Sequence, residues 1–128
     1  MMVAPVIPGL NCAEIEAIME AAAKAGATSA AFIMLRLPHG VKDLFKAWLA
    51  EHVPARESHV MALIREVRGE CENDPRFGTR HTGTGAYAGM LDARFQAACR
   101  RLGLNRDKLV PDTARFRPPA GAGQLALL

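Results

Sequence analysis

Aromatic residues are scarce in this chain: five Phe, one Tyr and one Trp among 128 positions. Half of the residues are nevertheless hydrophobic, so a core must be built mainly from Leu, Ile, Val, Ala and Met. The length suits one domain, or a piece of one. Cysteine is equally sparse. Cys12, Cys71 and Cys99 stand far apart and no C-x-x-C pair exists. That fits reduced thiols better than a disulfide framework. His39, His52, His59 and His81 form no metal motif, and Pro54 interrupts the one pair that a single helix would align. No apolar run approaches the roughly 18 residues of a membrane-spanning helix. The opening MMVAPVIPGLN lacks the charged and apolar regions of a secretory signal, so the cytoplasm is the expected compartment. Also missing are a phosphate-binding G-x-x-x-x-G-K-[ST] loop, a G-x-G-x-x-G after a strand, and any helix-turn-helix, zinc-finger or RNA-binding signature.

What is present is unevenly charged. Residues 1–53 hold four Lys/Arg against five Asp/Glu, and residues 54–128 hold twelve against eight. The basic part is almost all arginine, whose planar fork of donors suits phosphate and carboxylate. A solvated helical surface would give the same composition.

Hydrophobic spacing divides the chain. Residues 2–7 read as a short strand, with Pro5 confining it to an edge, an end or a bulge. Asn11 followed by Glu14 predicts a capping box. Ile15, Ile18, Met19, Ala22 and Ala23 then follow at helical spacing, and Gly26 stops the helix. Residues 29–35 are a continuous apolar run, short enough for a buried strand. Strand, helix and strand with short links form a βαβ unit, which requires a parallel pair. Three helices are predicted next. Val41, Leu44, Phe45, Trp48 and Leu49 mark the first, before Pro54. Val60, Leu63, Ile64 and Val67 mark the second, ending near Gly69. Tyr87, Leu91, Phe95, Ala98 and Leu102 mark the third, ending at Gly103.

The expected organisation is therefore an α/β chain in three parts. Residues 1–38 form a strand-helix-strand piece, residues 39–104 a helical extension, and residues 105–128 an extended tail. Two parallel strands alone are not a stable sheet. The first part thus reads as the end of a larger fold, needing a missing portion or a second copy around Ile7, Phe32 and Met34.

The stretch RFGTRHTGTG, residues 76–85, precedes the third predicted helix. Free N–H groups at a helix N-terminus bind anions. Thr82 or Thr84 would cap that helix, and Arg76, Arg80 and His81 would add positive charge beside it. These five residues are candidates for an anion or substrate site. A capped loop whose arginines meet protein groups is the plain alternative. Nucleic acid is a candidate partner on Arg65, Arg68, Arg76, Arg80, Arg100 and Arg101, although stacking aromatics are few.

Four blocks carry a resemblance when taken in order: APVIPGLN with EIEAI, LRLPHGVKDLFKAWL, RFGTRHTGTGAYAGML and RFQAACRRLGL. Together they resemble the C-terminal portion of radical-SAM proteins of the spore-photoproduct-lyase-like group, also termed DNA repair photolyase-like. The resemblance covers the chain from about Val3 into the tail. It implies a partial TIM barrel, a 4Fe-4S cluster and S-adenosylmethionine, cleaved reductively to a 5′-deoxyadenosyl radical. The group's C-x-x-x-C-x-x-C cluster motif is absent from this sequence, as are the barrel's early strands. The chain thus resembles the last third of a family member and is expected to be inactive alone. Ligands of such barrels sit at the C-terminal ends of the strands. The resemblance therefore implies that Ile7, Pro8, Gly9 and Asn11 border the cofactor. Arg36 would meet its carboxylate or a substrate anion, or else pair with Glu14 or Glu16.

Cys12 stands where the group has Asp. A thiol at a helix start is activated, which would make Cys12 the most reactive of the three. A neutral substitution, with Asn11 capping the helix, is the plainer account. Three functional readings stay open: the C-terminal part of a radical-SAM enzyme, a stand-alone anion- or nucleic-acid-binding module, and a structural partner that completes another chain's barrel.

Overall fold

The computed structural model describes residues 1–107, 110 and 112–117. Most of the predicted tail lies outside these residues. The described chain is mixed α/β, with two parallel strands and four α-helices. Strand β1 (Met2–Val6) leads through a 3-10 turn at Cys12–Glu14 into α1 (Ile15–Lys24). Strand β2 (Ala31–Met34) follows and pairs with β1 in parallel. Helices α2 (Val41–His52), α3 (Glu57–Val67) and α4 (Gly85–Leu102) complete the order.

Local chemistry explains most boundaries. Pro5 lies where the β1–β2 register slips, between the Val3–Phe32 and Val6–Met34 pairings, as a proline in a strand requires. Gly26 takes φ +93° beyond α1, and Ala27 N–H donates back to Ala22 O at 2.9 Å, a Schellman closure. Gly103 does the same for α4 at φ +69°, with Leu104 N–H donating to Cys99 O at 2.9 Å. Pro54 opens a 3-10 turn and separates α2 from α3.

The expected parallel strand pair forms, one strand is trimmed and one expectation fails. The second strand is shorter than the apolar run, because its flanks find other partners. The Met1 ammonium donates to Ser29 O at 2.6 Å, and Asn105 occupies Ala30. The capping box is also absent. Asn11 makes no side-chain capping bond to the helical turn that follows it. Its amide is used inside the preceding loop instead.

Two apolar clusters hold the structure. The larger joins Val3, Val6, Phe32 and Met34 of the strands to Ile15 and Met19 of α1 and to Leu91, Phe95 and Ala98 of α4. Each fully buried large side chain among them contributes about 1.5–3 kcal/mol. Phe32 and Phe95 meet with ring centroids 4.9 Å apart. Phe32 and Met34 are therefore already covered by this chain's own helices, and no second copy is needed to bury them. Two ion pairs, Glu16 with Arg94 and Glu20 with Arg101, tie α1 to α4. The smaller cluster joins Leu37, Leu49, Val60, Met61 and Ile64, with Ile7 and Leu10 packed against it. It seats α2 and α3 over the C-terminal ends of the strands. The α2 stripe is only partly used: Leu49 is buried, whereas Leu44 is 73% exposed and Val41 and Trp48 are exposed.

Candidate functional site

The loop after β1 is closed by its own groups. Asn11 Oδ1 accepts from Ile7 N–H at 2.7 Å, and Asn11 Nδ2 donates to Pro5 O at 3.0 Å. Leu10 and Asn11 N–H both donate to Ile7 O, at 3.1 and 3.3 Å. Gly9 takes φ +71°, and its N–H donates to the Tyr87 hydroxyl at 3.3 Å. A Cβ at Gly9 would fall 2.9 Å from Leu63 Cδ1 and 3.3 Å from His59 Cδ2, so α3 lies directly over this turn. Pro8 is buried and Ile7 half-buried. Of the residues expected to border a cofactor, Ile7, Pro8, Gly9 and Asn11 thus stand together at one end of the strands. The N–H groups of Ile7, Gly9, Leu10 and Asn11 are already engaged. What the loop can offer a ligand is the half-buried face of Ile7.

Tyr87 links this loop to α4. Its hydroxyl also lies 3.3 Å from Cys12 Sγ, and burial first, then that contact, raises its pKa. Cys12 is itself buried, as is Cys99, whose thiol burial pushes up. The exposed thiol is Cys71. This counts against the activated-thiol account of Cys12 and leaves the plainer one, a neutral substitution, although Asn11 does not cap the helix. The cysteines also do not fit a 4Fe-4S cluster: Cys12 contacts Tyr87, Cys99 contacts Asn105, and no grouping of three or more His, Cys, Asp or Glu capable of holding a metal occurs among the described residues.

RFGTRHTGTG lies along the outer edge of β2. Met34 N–H donates to His81 O at 2.8 Å, on the side away from β1, while Leu35 N–H donates to Val6 O at 2.8 Å on the near side. Two charged residues fix it. Asp74 accepts from Arg76 N–H at 3.0 Å, from Arg76 Nε at 2.9 Å, from Arg76 Nη2 at 3.0 Å and from Thr79 Oγ1 at 2.5 Å. These bonds hold its carboxyl well below the usual carboxylate range. Arg68, only 2% exposed, reaches from the end of α3 to four carbonyls. Its Nη1 donates to Thr79 O at 3.4 Å and Arg80 O at 2.8 Å. Its Nη2 donates to Met34 O at 3.2 Å and Leu35 O at 2.6 Å. Burial lowers its pKa, and the nearby Asp74 charge opposes that effect.

This geometry redistributes the candidate anion residues. Arg76 is spent on Asp74. Thr84 stands at the N-cap of α4 but makes no capping bond, and Thr82 Oγ1 reaches only Gly83 O at 3.5 Å. The helix N-terminus already meets an anion, since Tyr87 N–H donates to Glu66 Oε1 at 3.3 Å, and Thr84 N–H donates to Val67 O at 2.9 Å. A cleft of about 390 Å³ beside it is lined by Thr82, Thr84 and the acidic Asp92 among others. His81 is exposed. Arg80 remains, half-buried, with its Cζ 4.7 Å from the centre of the Phe77 ring. Phe77 itself is 84% exposed. Arg36 is half-buried too, and it does not pair with Glu16, which binds Arg94 through both oxygens at 2.9 and 2.7 Å.

Arg65 pairs with Glu72, Arg76 with Asp74 and Arg101 with Glu20, while Arg68 is internal. Sequence reasoning missed Asp74 and Asn105, and it placed Arg68 on a nucleic-acid face rather than inside the fold. Arg68 had a signal, since it continues the buried Met61–Ile64 stripe of α3 at helical spacing. Asp74 had one as well, an acidic side chain before Pro75 at the start of a turn.

Comparison with known proteins adds no name. No family model, no curated protein and no solved structure matches the chain.

Proposed function

We propose that this chain forms the closing strand-helix-strand portion of a radical-SAM barrel together with its helical cover, and that it walls the active site of an enzyme whose cluster ligands lie in other residues. The observation that supports this reading most is the β1–β2 pair. It is parallel, no other described strand pairs with the free edge of β1, and Ile7, Pro8, Gly9, Asn11 and Arg36 follow its strand ends. A parallel pair gains most from further strands and from cover on both faces. Three of the four sequence blocks that resemble the spore-photoproduct-lyase-like group fall at this end of the molecule, and the fourth, RFQAACRRLGL, forms the C-terminal part of α4 that leads to the start of β2.

In this reading the half-buried face of Ile7 packs on S-adenosylmethionine, and the α2–α3 pair excludes water above it. The cluster would supply the electron for cofactor cleavage, and the present residues supply the binding wall only. Nucleic acid is the proposed substrate class by the same likeness.

Reading the DNA upstream of the Met1 codon tests this directly. An encoded C-x-x-x-C-x-x-C, in frame or one shift away, is the expected result. Its absence over the length of a barrel overturns the proposal. A stand-alone anion-binding module is the second reading, favoured by one specific observation: Arg36 and Arg80 lack carboxylate partners among the described residues.

A further inference from the structure

The arginines of the described chain sort by their surroundings. Arg65, Arg76, Arg94, Arg101 and Arg115 each meet a carboxylate. Arg56, Arg100, Arg106 and Arg117 stand exposed to water. Arg36, Arg68 and Arg80 do neither. All three are at least half-buried, and in each the Nε atom is buried without a hydrogen-bond partner.

The Arg68 guanidinium bridges the two segments that carry the others, with Leu35 O and Arg80 O at 2.6 and 2.8 Å. Arg36 adjoins Leu35 along the chain, and its charge acts unfavourably on Arg68. The acid whose charge acts on Arg68, Asp74, spends both oxygens on Arg76 and Thr79. Partly buried cations without a counter-charge are costly, and protein structures resolve that cost with an anion.

We propose that Arg36 and Arg80 bind a phosphate group of the ligand at the C-terminal end of the strand pair, with Arg68 as the positioning residue that holds their two segments together. Phosphate is chosen over carboxylate because two separate guanidinium forks demand more acceptor lone pairs and more charge than one planar carboxylate offers. Phe77, stacked on Arg80, keeps that fork oriented. The proposal does not rest on the barrel reading, since every group it uses is in this chain.

The test uses the full chain at low ionic strength. Inorganic phosphate is titrated by phosphorus NMR, and a short single-stranded DNA with hydroxyl ends is titrated by fluorescence anisotropy. Saturable binding of at least one is expected. Arg36→Gln and Arg80→Gln should each weaken it about tenfold, the loss of a charge-assisted pair. The exposed Arg100→Gln should leave it within about twofold. Binding of phosphate assigns the site to a phosphomonoester, and binding of DNA alone assigns it to a phosphodiester backbone. Thermal melts of the variants establish that each is folded. No saturable binding of either probe, or an equal loss in Arg100→Gln, overturns the proposal.

Discussion

Two loops leave the same end of the structure and are held by opposite means. Residues 7–11 are closed by a neutral side chain, Asn11, working with backbone groups. Residues 74–84 are closed by charge, through Asp74 on one side and Arg68 on the other. A neutral staple is indifferent to pH and salt. A charged one is stronger when buried but leaves larger debts if either member is removed. The first loop is therefore a fixed floor, and the second is a wall whose position depends on ionisation.

The hardest blow to that contrast is Arg68→Met. It keeps the volume of the stem but leaves four carbonyls without donors, so unfolding free energy should fall by about 3 kcal/mol or more, measured by urea denaturation. A loss below about 1 kcal/mol would mean that the second loop does not depend on Arg68. Asn11→Ala should cost less, about 1–2 kcal/mol, because two neutral bonds are lost at a partly exposed site. Its effect should be the same in low and high salt.

Acid separates the loops next. Glu72 is held at about 2 by hydrogen bonds from Lys46 and Arg65, against an ordinary 4.5, and Asp74 is lowered as well. A depressed carboxylate stabilises the fold above its unfolded pKa and stops doing so as pH falls through its folded value. Hydrogen-exchange protection at Arg76, Arg80 and Gly83 should therefore fall as pH drops below the ordinary carboxylate range toward the depressed value of Asp74, while protection at Leu10 holds. Equal loss in both loops would erase the distinction. The smallest effect is expected at Leu44→Lys on the exposed face of α2, within about 0.5 kcal/mol in the same denaturation. A larger change would mean that something covers that face.

Helices were the legible part of the sequence. The spacing of Leu91, Phe95 and Ala98, with Gly103 after them, specifies a helix and its stop by local chemistry alone. The same is true of Gly26 and Pro54. The site was less legible, because its residues are defined by partners distant in sequence. Asn11 looks like a cap from its neighbours, but Ile7 and Pro5 claim its amide first. Arg76 and Arg80 look equivalent in RFGTRHTGTG. Only the carboxylate two residues before Arg76 distinguishes them, and its engagement with Thr79 is a matter of loop geometry. Ile18 satisfies the helical period yet is exposed, since α4 covers the neighbouring face with Arg94 and Arg101. Periodicity identifies a stripe without saying how wide its cover will be.

Asn105 bears on how the chain is made. Its side chain accepts from Ala30 N–H and donates to Ala30 O, both at 2.8 Å, and its own N–H donates to Thr28 O at 2.9 Å. These bonds join residues 75 or more positions apart, and the Glu16–Arg94 pair spans 78. On a ribosome, β1, α1 and β2 emerge long before α4 and Asn105 exist to cover and clamp them. The strands must wait, apolar and unclosed, for most of the synthesis of this chain. Nascent-chain lengths ending before Asn105 should thus be the ones most readily captured by holding chaperones.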